Sequence, residues 1–160
     1  MPNFTHLMQF RVANLSVDAA SVRNMGPSGS IAAAREFLKK IDLRNFADPT
    51  SFPESLDAGT LLLKSILPDG GRHWGSARKF MNLFLRDATY NYHLREAFGL
   101  HRVESELELP LDSHSARGLR DHAPDAQLPT WRSVIHLTPA ESDKYQRVAS
   151  VIAAGEEGAK

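Results

Sequence analysis

The feature that most constrains the fold is a helical pattern of apolar residues between Gly75 and Phe98, which ends at Gly99. Apolar side chains recur there with the period of an α-helix, and a glycine just after the last helical residue is a common helix end. The apolar positions are Met81, Phe84, Leu85, Ala88 and Tyr92. The opposite face carries Lys79, Asn82, Arg86, Tyr90 and His93. The pattern predicts one long amphipathic helix against which the rest of the chain packs.

Shorter runs with the same period occur on both sides, separated by residues that interrupt helices. The breakers are the Gly/Pro/Ser segment 26–30 and the turn sequence 68–71. Helices are predicted within 4–22, 31–41, 52–67 and 112–121, and after the capping box 138–141, with residues 104–109 as an extended connector. There is no repeat and no pair of strand-like segments. We predict a compact all-α domain over residues 1–154, followed by a flexible tail at 155–160.

Composition excludes several classes of protein. The chain has 160 residues, a formal net charge of zero and no cysteine, which excludes disulfides, thiolate metal sites and thiol nucleophiles. The histidines do not have the short spacing of metal ligands, so we expect no metal and no cofactor. The sequence has no basic segment followed by an apolar run at its start, and no stretch long enough to span a bilayer. We therefore expect a cytoplasmic protein that does not bind membranes and is a monomer.

Charge is distributed unevenly along the chain. Between Arg72 and Arg102 there are six Arg or Lys residues and two acids, whereas between Val103 and Asp112 there are four acids and no base. A basic helix beside an acidic approach to Asp112 would suit a DNA backbone held next to a catalytic carboxylate. The common alternative is a solvated helix face with scattered charges.

Two short segments resemble a known enzyme family. The run 75–79 (Gly-Ser-Ala-Arg-Lys) followed by Asn82 resembles the hairpin of the helix-hairpin-helix DNA glycosylases, the endonuclease III and 8-oxoguanine glycosylase group. The run 109–114 (Leu-Pro-Leu-Asp-Ser-His) resembles that family's V-D-T-H segment. The resemblance covers about residues 68–122. Ala77 stands where the family has a second glycine, and the spacing from Lys79 to Asp112 (112 − 79 = 33 residues) is longer than usual in the family.

The resemblance implies a helix-hairpin-helix element and a DNA glycosylase, with or without AP-lyase activity, that excises a modified or mismatched base from duplex DNA. Lys79 would match the family's catalytic lysine and Asp112 its catalytic aspartate. A carboxylate near the sugar stabilises the positive charge that develops during base loss, and an amine of depressed pKa can attack C1′ to form a Schiff base. The residues expected to bind DNA are Gly75, Ser76, Ala77, Arg78, Asn82, Arg86, Arg72, His114, Arg23 and Asn24.

Each assignment has a purely structural alternative. Asp112 has the residue type of a helix N-cap, and Lys79 of a solvated lysine at a helix start. Arg23 with Asn24 could fill the gap left by a flipped base or could interact with carbonyl groups at a helix C-terminus. At the level of the whole protein, the alternatives are a non-catalytic helix-hairpin-helix module that binds nucleic acid, and an interaction protein whose basic helix meets an acidic partner.

Overall fold

The computed structural model describes residues 3–20 and 22–157. Within these ranges the chain forms seven α-helices and three 3-10 segments, and no strand occurs there. The all-α prediction is therefore confirmed. The α-helices are α1 (Phe4–Ser16), α2 (Ser30–Leu38), α3 (Phe52–Ile66), α4 (Trp74–Tyr90), α5 (Tyr92–Phe98), α6 (Ser113–His122) and α7 (Pro139–Glu157). The 3-10 segments are Leu43–Phe46, Leu100–Glu106 and Val134–His136.

Helix α4 is the centre of the fold and packs against α1, α3 and the 3-10 segment Val134–His136. Its predicted apolar face is buried at Met81, Phe84, Leu85 and Ala88, so the prediction is confirmed at these four positions. Full burial of a large apolar side chain stabilises a fold by about 1.5–3 kcal/mol. The main core that surrounds α4 therefore explains why the rest of the chain is arranged around this helix.

A second, smaller core lies between α6 and α7. Its buried members are Leu111, Ala116, Leu119, Leu137 and Tyr145, and the partly buried Val148, Ala149 and Ile152 of α7 pack against them. The Tyr145 hydroxyl donates a 2.6 Å hydrogen bond to a main-chain carbonyl in the preceding loop, which satisfies the polar end of this buried ring. The predicted capping box is also present, because Thr138 and Glu141 exchange hydrogen bonds at the start of α7.

The prediction of one long helix from Gly75 to Phe98 is wrong in one respect, because the helix is interrupted at Asn91. The Asn91 backbone is extended, and its N–H bonds to the carbonyls that end α4. Its side-chain oxygen accepts from the N–H of Leu94 and so caps α5. Tyr92 is consequently 71% exposed rather than buried. Asparagine is a strong N-cap residue, and here that local preference overrides the helical period.

Other helix limits also differ from the predictions. Helix α1 ends at Ser16, where Val17 is extended and its carbonyl accepts a 2.7 Å hydrogen bond from Arg35. The expected extended connector is 3-10 helical up to Glu106. Helix α7 continues to Glu157, past the predicted start of the tail, and residues 158–160 lie outside the described ranges. None of the helices in the described part of the chain is long and apolar enough to cross a membrane.

Candidate active site

Lys79 lies in the second turn of α4, on the side that faces α6 and α7. The side chain is only 10% exposed, so the expectation of a solvated lysine on a polar helix face is wrong. Its Nζ lies 3.6 Å from Oδ2 of Asp112. An ammonium group that is this far out of water requires a nearby counter-charge, and the Asp112 carboxylate supplies it.

Asp112 is the N-cap residue of α6, as the sequence predicted for its structural role. Its Oδ1 accepts hydrogen bonds from the backbone N–H groups of His114 and Ser115, at 2.9 and 3.0 Å. The Ser115 hydroxyl in turn accepts from the Asp112 N–H, which completes a capping box. The cap therefore occupies Oδ1, while Oδ2 is directed to Lys79.

Asp112 is held in its ionised form. Burial raises the pKa of this carboxyl, but the N–H group of Ser115, the Lys79 ammonium and the N–H group of His114 together outweigh burial and place the pKa below its usual value. Since this aspartate is 37% exposed, a molecule outside the protein could still approach it. An ionised, partly accessible carboxylate beside an amine is suited to stabilising positive charge that develops on a bound substrate.

A partly buried ion-pair network centred on the buried Arg78 lies next to this pair. The Arg78 side chain is 8% exposed and donates to both carboxylate oxygens of Glu108, at 2.9 and 2.7 Å. Its remaining nitrogen donates to Asp57 and Thr60 of α3. Asn82 donates to the same Glu108 carboxylate at 2.9 Å. Arg78 and Asn82, both expected to contact DNA, instead join α3, α4 and the segment before α6.

The segment between the 3-10 helix and α6 is fixed residue by residue. The backbone N–H and C=O of Leu109 both bond to the Gln146 side-chain amide of α7, at 2.9 and 2.8 Å. The Pro110 carbonyl accepts from the Ser115 hydroxyl, and Leu111 is buried in the second core. These contacts place the backbone that leads into Asp112.

Residues 75–79, which were expected to form a hairpin, are part of helix α4, so that expectation is wrong. Gly75, Ser76 and Ala77 are helical and buried. A Cβ placed on Gly75 would lie 2.0 Å from the carbonyl oxygen of Val134, so glycine is required here by close packing rather than by phosphate binding. The turn between α3 and α4 lies earlier, at 68–71, where Gly70 has a left-handed backbone and open space around it.

The stretch from Arg72 to Arg102 is largely neutralised by ion pairs. Five of its six Arg and Lys side chains have an acidic partner within 4 Å: Arg72–Asp69, Arg78–Asp57 and Glu108, Lys79–Asp112, Arg86–Asp87 and Arg95–Glu104. Five of the six partners lie outside this stretch of sequence: Asp57, Asp69, Glu104, Glu108 and Asp112. The excess of positive charge in this stretch of sequence is therefore largely offset in the fold, although Arg72 and Arg86 remain about half exposed.

The other predicted site residues lie on the surface. His114 is exposed in the first turn of α6, close in sequence to Asp112. Arg23 and Asn24 are exposed in a turn between α1 and α2, with Asn24 in the left-handed region at φ 60°. Because α1 ends seven residues before Arg23, the alternative of a helix C-terminal arginine is wrong. Their insertion into a duplex stays a prediction.

The crevice beside the Lys79–Asp112 pair is closed. Its volume is about 0 Å³, too small for a water molecule, and its lining residues are Gly75, Arg78, Lys79, Asn82, Leu111, Leu137, Ser142 and Gln146. A cavity of about 840 Å³ lies elsewhere, between α2 and α3, and includes neither member of the pair. Asp112 does not line this crevice, and its carboxylate remains 37% exposed at the surface. No group of three potential metal ligands occurs among the described residues.

Sequence reasoning missed the residues that fix this site. Glu108, Gln146 and Asp57 are remote from Lys79 in sequence and carry no motif. The only sequence signal for Glu108 was the alternation of acidic and apolar residues before Asp112, and this alternation predicted an extended connector instead. Comparison with known proteins adds no assignment: no protein-family model, no characterised protein and no solved structure matches the chain.

Proposed function

We propose that this protein is a DNA glycosylase of the helix-hairpin-helix type that removes a modified or mismatched base from DNA, with Asp112 and Lys79 as its catalytic residues. The observation that carries the proposal is the 3.6 Å approach of the Lys79 amine to the Asp112 carboxylate. The sequence predicts complementary roles for these two residues in one reaction. The fold brings them together although they are 33 residues apart in the chain (112 − 79).

The chemistry assigns one role to each group. The Lys79 ammonium first loses a proton to water, and the neutral amine then donates its electron pair to C1′ of the sugar. The C1′–N bond breaks, and the base leaves with that bonding pair and takes up a proton from solvent. The ionised Asp112 stabilises the positive charge that develops on the sugar. The nitrogen of the Lys79 adduct then loses a proton to solvent and forms a C=N bond to C1′ as the C1′–O4′ bond breaks. The ring oxygen O4′ keeps that bonding pair and takes up a proton, which gives a Schiff base with Lys79 from which AP-lyase cleavage can follow.

A helix–turn–helix unit supports the proposed architecture, with its turn at residues 68–71 rather than 75–79. Helices α3 and α4 flank this turn, and the N–H of Gly71 bonds to the Pro68 carbonyl within it. Gly70 is exposed and left-handed, so its backbone is open to close approach. We assign the contact with a DNA phosphate to this turn.

The two alternative functions have less support. A non-catalytic module would contact DNA through the same turn at 68–71, but the close approach of Lys79 to Asp112 would then be a structural contact only. An interaction protein would present the basic stretch to an acidic partner, yet most cations of that stretch already have acidic partners within the chain.

The proposal is tested with duplex oligonucleotides that each contain one damaged or mismatched base. Base release is measured as new abasic sites, and a Schiff base is trapped with borohydride. Asp112→Asn keeps the N-cap but removes the charge, so base release should fall by about 10² or more while DNA binding persists. Lys79→Gln should abolish the trapped adduct.

Matched controls come from exposed residues of α6 and α7. Asp121→Asn on α6 and Lys144→Gln on α7 make the same chemical changes away from the pair and should leave base release unchanged. If the wild-type protein binds these duplexes and releases no base from any of them, the glycosylase proposal fails. Equal losses in the control variants would also contradict it.

A further inference from the structure

The segment that leads into Asp112 is clamped from two sides. On one side, Arg78 and Asn82 of α4 hold the Glu108 carboxylate with three hydrogen bonds of 2.7–2.9 Å. On the other side, the Gln146 amide of α7 pairs with both backbone groups of Leu109. A primary amide that both accepts from and donates to one residue fixes that residue's position and its orientation, as in a sheet ladder.

The clamp is connected directly to the catalytic pair. Arg78 is the residue before Lys79 on α4, so one helical turn supplies both the guanidinium that holds Glu108 and the amine that meets Asp112. From Glu108 to Asp112 the chain spans five residues, and each of the first four has its own restraint. A shift of this segment would therefore move Asp112 relative to Lys79 while the N-cap of α6 stayed intact.

We propose that Gln146 is a positioning residue which, together with the Arg78–Glu108 pair, sets the distance between the Asp112 carboxylate and the Lys79 amine. Both hydrogen bonds of the Gln146 side chain go to Leu109 rather than to Lys79 or Asp112. It acts through the Leu109 backbone. This inference rests on the proposed function only for its catalytic consequence, because the effect on the geometry of the pair can be measured without any substrate.

The first experiment is a double-mutant cycle read by NMR titration of the Asp112 carboxyl. Lys79→Met removes the cation and should raise the pKa of Asp112. Gln146→Met keeps the side-chain length but removes the amide, so it should raise the same pKa because Lys79 is no longer held near. In the Lys79→Met background, Gln146→Met should change the pKa no further. Arg147→Met, at the exposed neighbouring position on α7, should leave it unchanged.

Two results would overturn the inference. One is an Asp112 pKa that does not respond to Gln146→Met, and the other is an equal response with and without Lys79. If Gln146→Met does not fold, Glu108→Gln is used in the same cycle, since it keeps the shape of the side chain and weakens the other side of the clamp.

The second experiment measures base release by the same variants. Gln146→Met should lower kcat by about 10- to 100-fold with KM little changed, because a misplacement of about 1 Å has that effect on a catalytic group. In the Asp112→Asn background it should have no further effect. Coupling in the NMR cycle without base release by the wild type would refute the glycosylase and leave the positioning role standing. Base release without NMR coupling would refute the positioning role alone.

Discussion

Gly75→Ala tests whether residue 75 is a packing glycine or a phosphate-binding glycine. Gly75 lies in the first turn of α4, where the second core meets the helix. An added Cβ would lie 2.0 Å from the Val134 carbonyl oxygen and 2.9 Å from Cβ of Leu137. Real Cβ contacts are rarely closer than 3.4 Å, so the backbone at 134–137 must move by more than 1 Å.

The change in the free energy of unfolding caused by Gly75→Ala is the sum of two opposing contributions. Overpacking of this kind costs about 1–3 kcal/mol, and the clash is with backbone rather than with a flexible side chain, which favours the upper end. Replacing glycine by alanine within a helix gains about 1 kcal/mol. The net expectation is a destabilisation of about 1–2 kcal/mol, which for a chain of this size lowers Tm by roughly 2–4 °C per kcal/mol.

The assay is thermal and urea unfolding, with Gly118→Ala as the matched control. Gly118 lies inside α6 with no atom within 4 Å of its added Cβ, so alanine should stabilise the protein there by up to about 1 kcal/mol. If Gly75→Ala is as stable as Gly118→Ala, the packing explanation is refuted. Loss of DNA binding by Gly75→Ala at unchanged stability would restore the hairpin interpretation of residues 75–79.

Three further predictions address the ion pairs and the turn. Arg78→Met leaves Glu108 without its charged partner and should lower the free energy of unfolding, measured with urea, by about 3 kcal/mol. The control Arg44→Met removes an exposed ion pair and should have a free energy of unfolding close to that of the wild type. Because the pKa of Asp112 is lowered in the folded protein, the ionised carboxylate stabilises the fold at pH values above the usual aspartate pKa. This stability is lost as the pH falls through the pKa of Asp112 in the folded protein. The free energy of unfolding should therefore fall less steeply with acidification in Asp112→Asn than in the wild type. Gly70→Asp should weaken DNA binding, measured by fluorescence anisotropy, more than Gly70→Asn does. Both side chains tolerate the left-handed backbone at this position, but only the aspartate carboxylate repels a phosphate.

The sequence by itself determined the features that depend on neighbouring residues. The helical period placed α3, α4 and α7, and capping chemistry placed Asp112 at the start of α6. These features are readable because helix hydrogen bonds join residues four apart and caps join residues two or three apart. The interruption at Asn91 is also local, but it was missed because the apolar period continues across it.

Only the tertiary structure decided which polar side chains are buried and what they bind. From sequence, Lys79, Arg78 and Asn82 belonged to a solvated or DNA-binding surface. In the fold, Glu108 and Asp112 meet them from about 30 residues away, and Gln146 holds Leu109 across 37 residues. The physical reason is that burying a charge requires a partner at hydrogen-bonding distance. Which partner arrives depends on how the helices pack and is not encoded by any contiguous stretch of the chain.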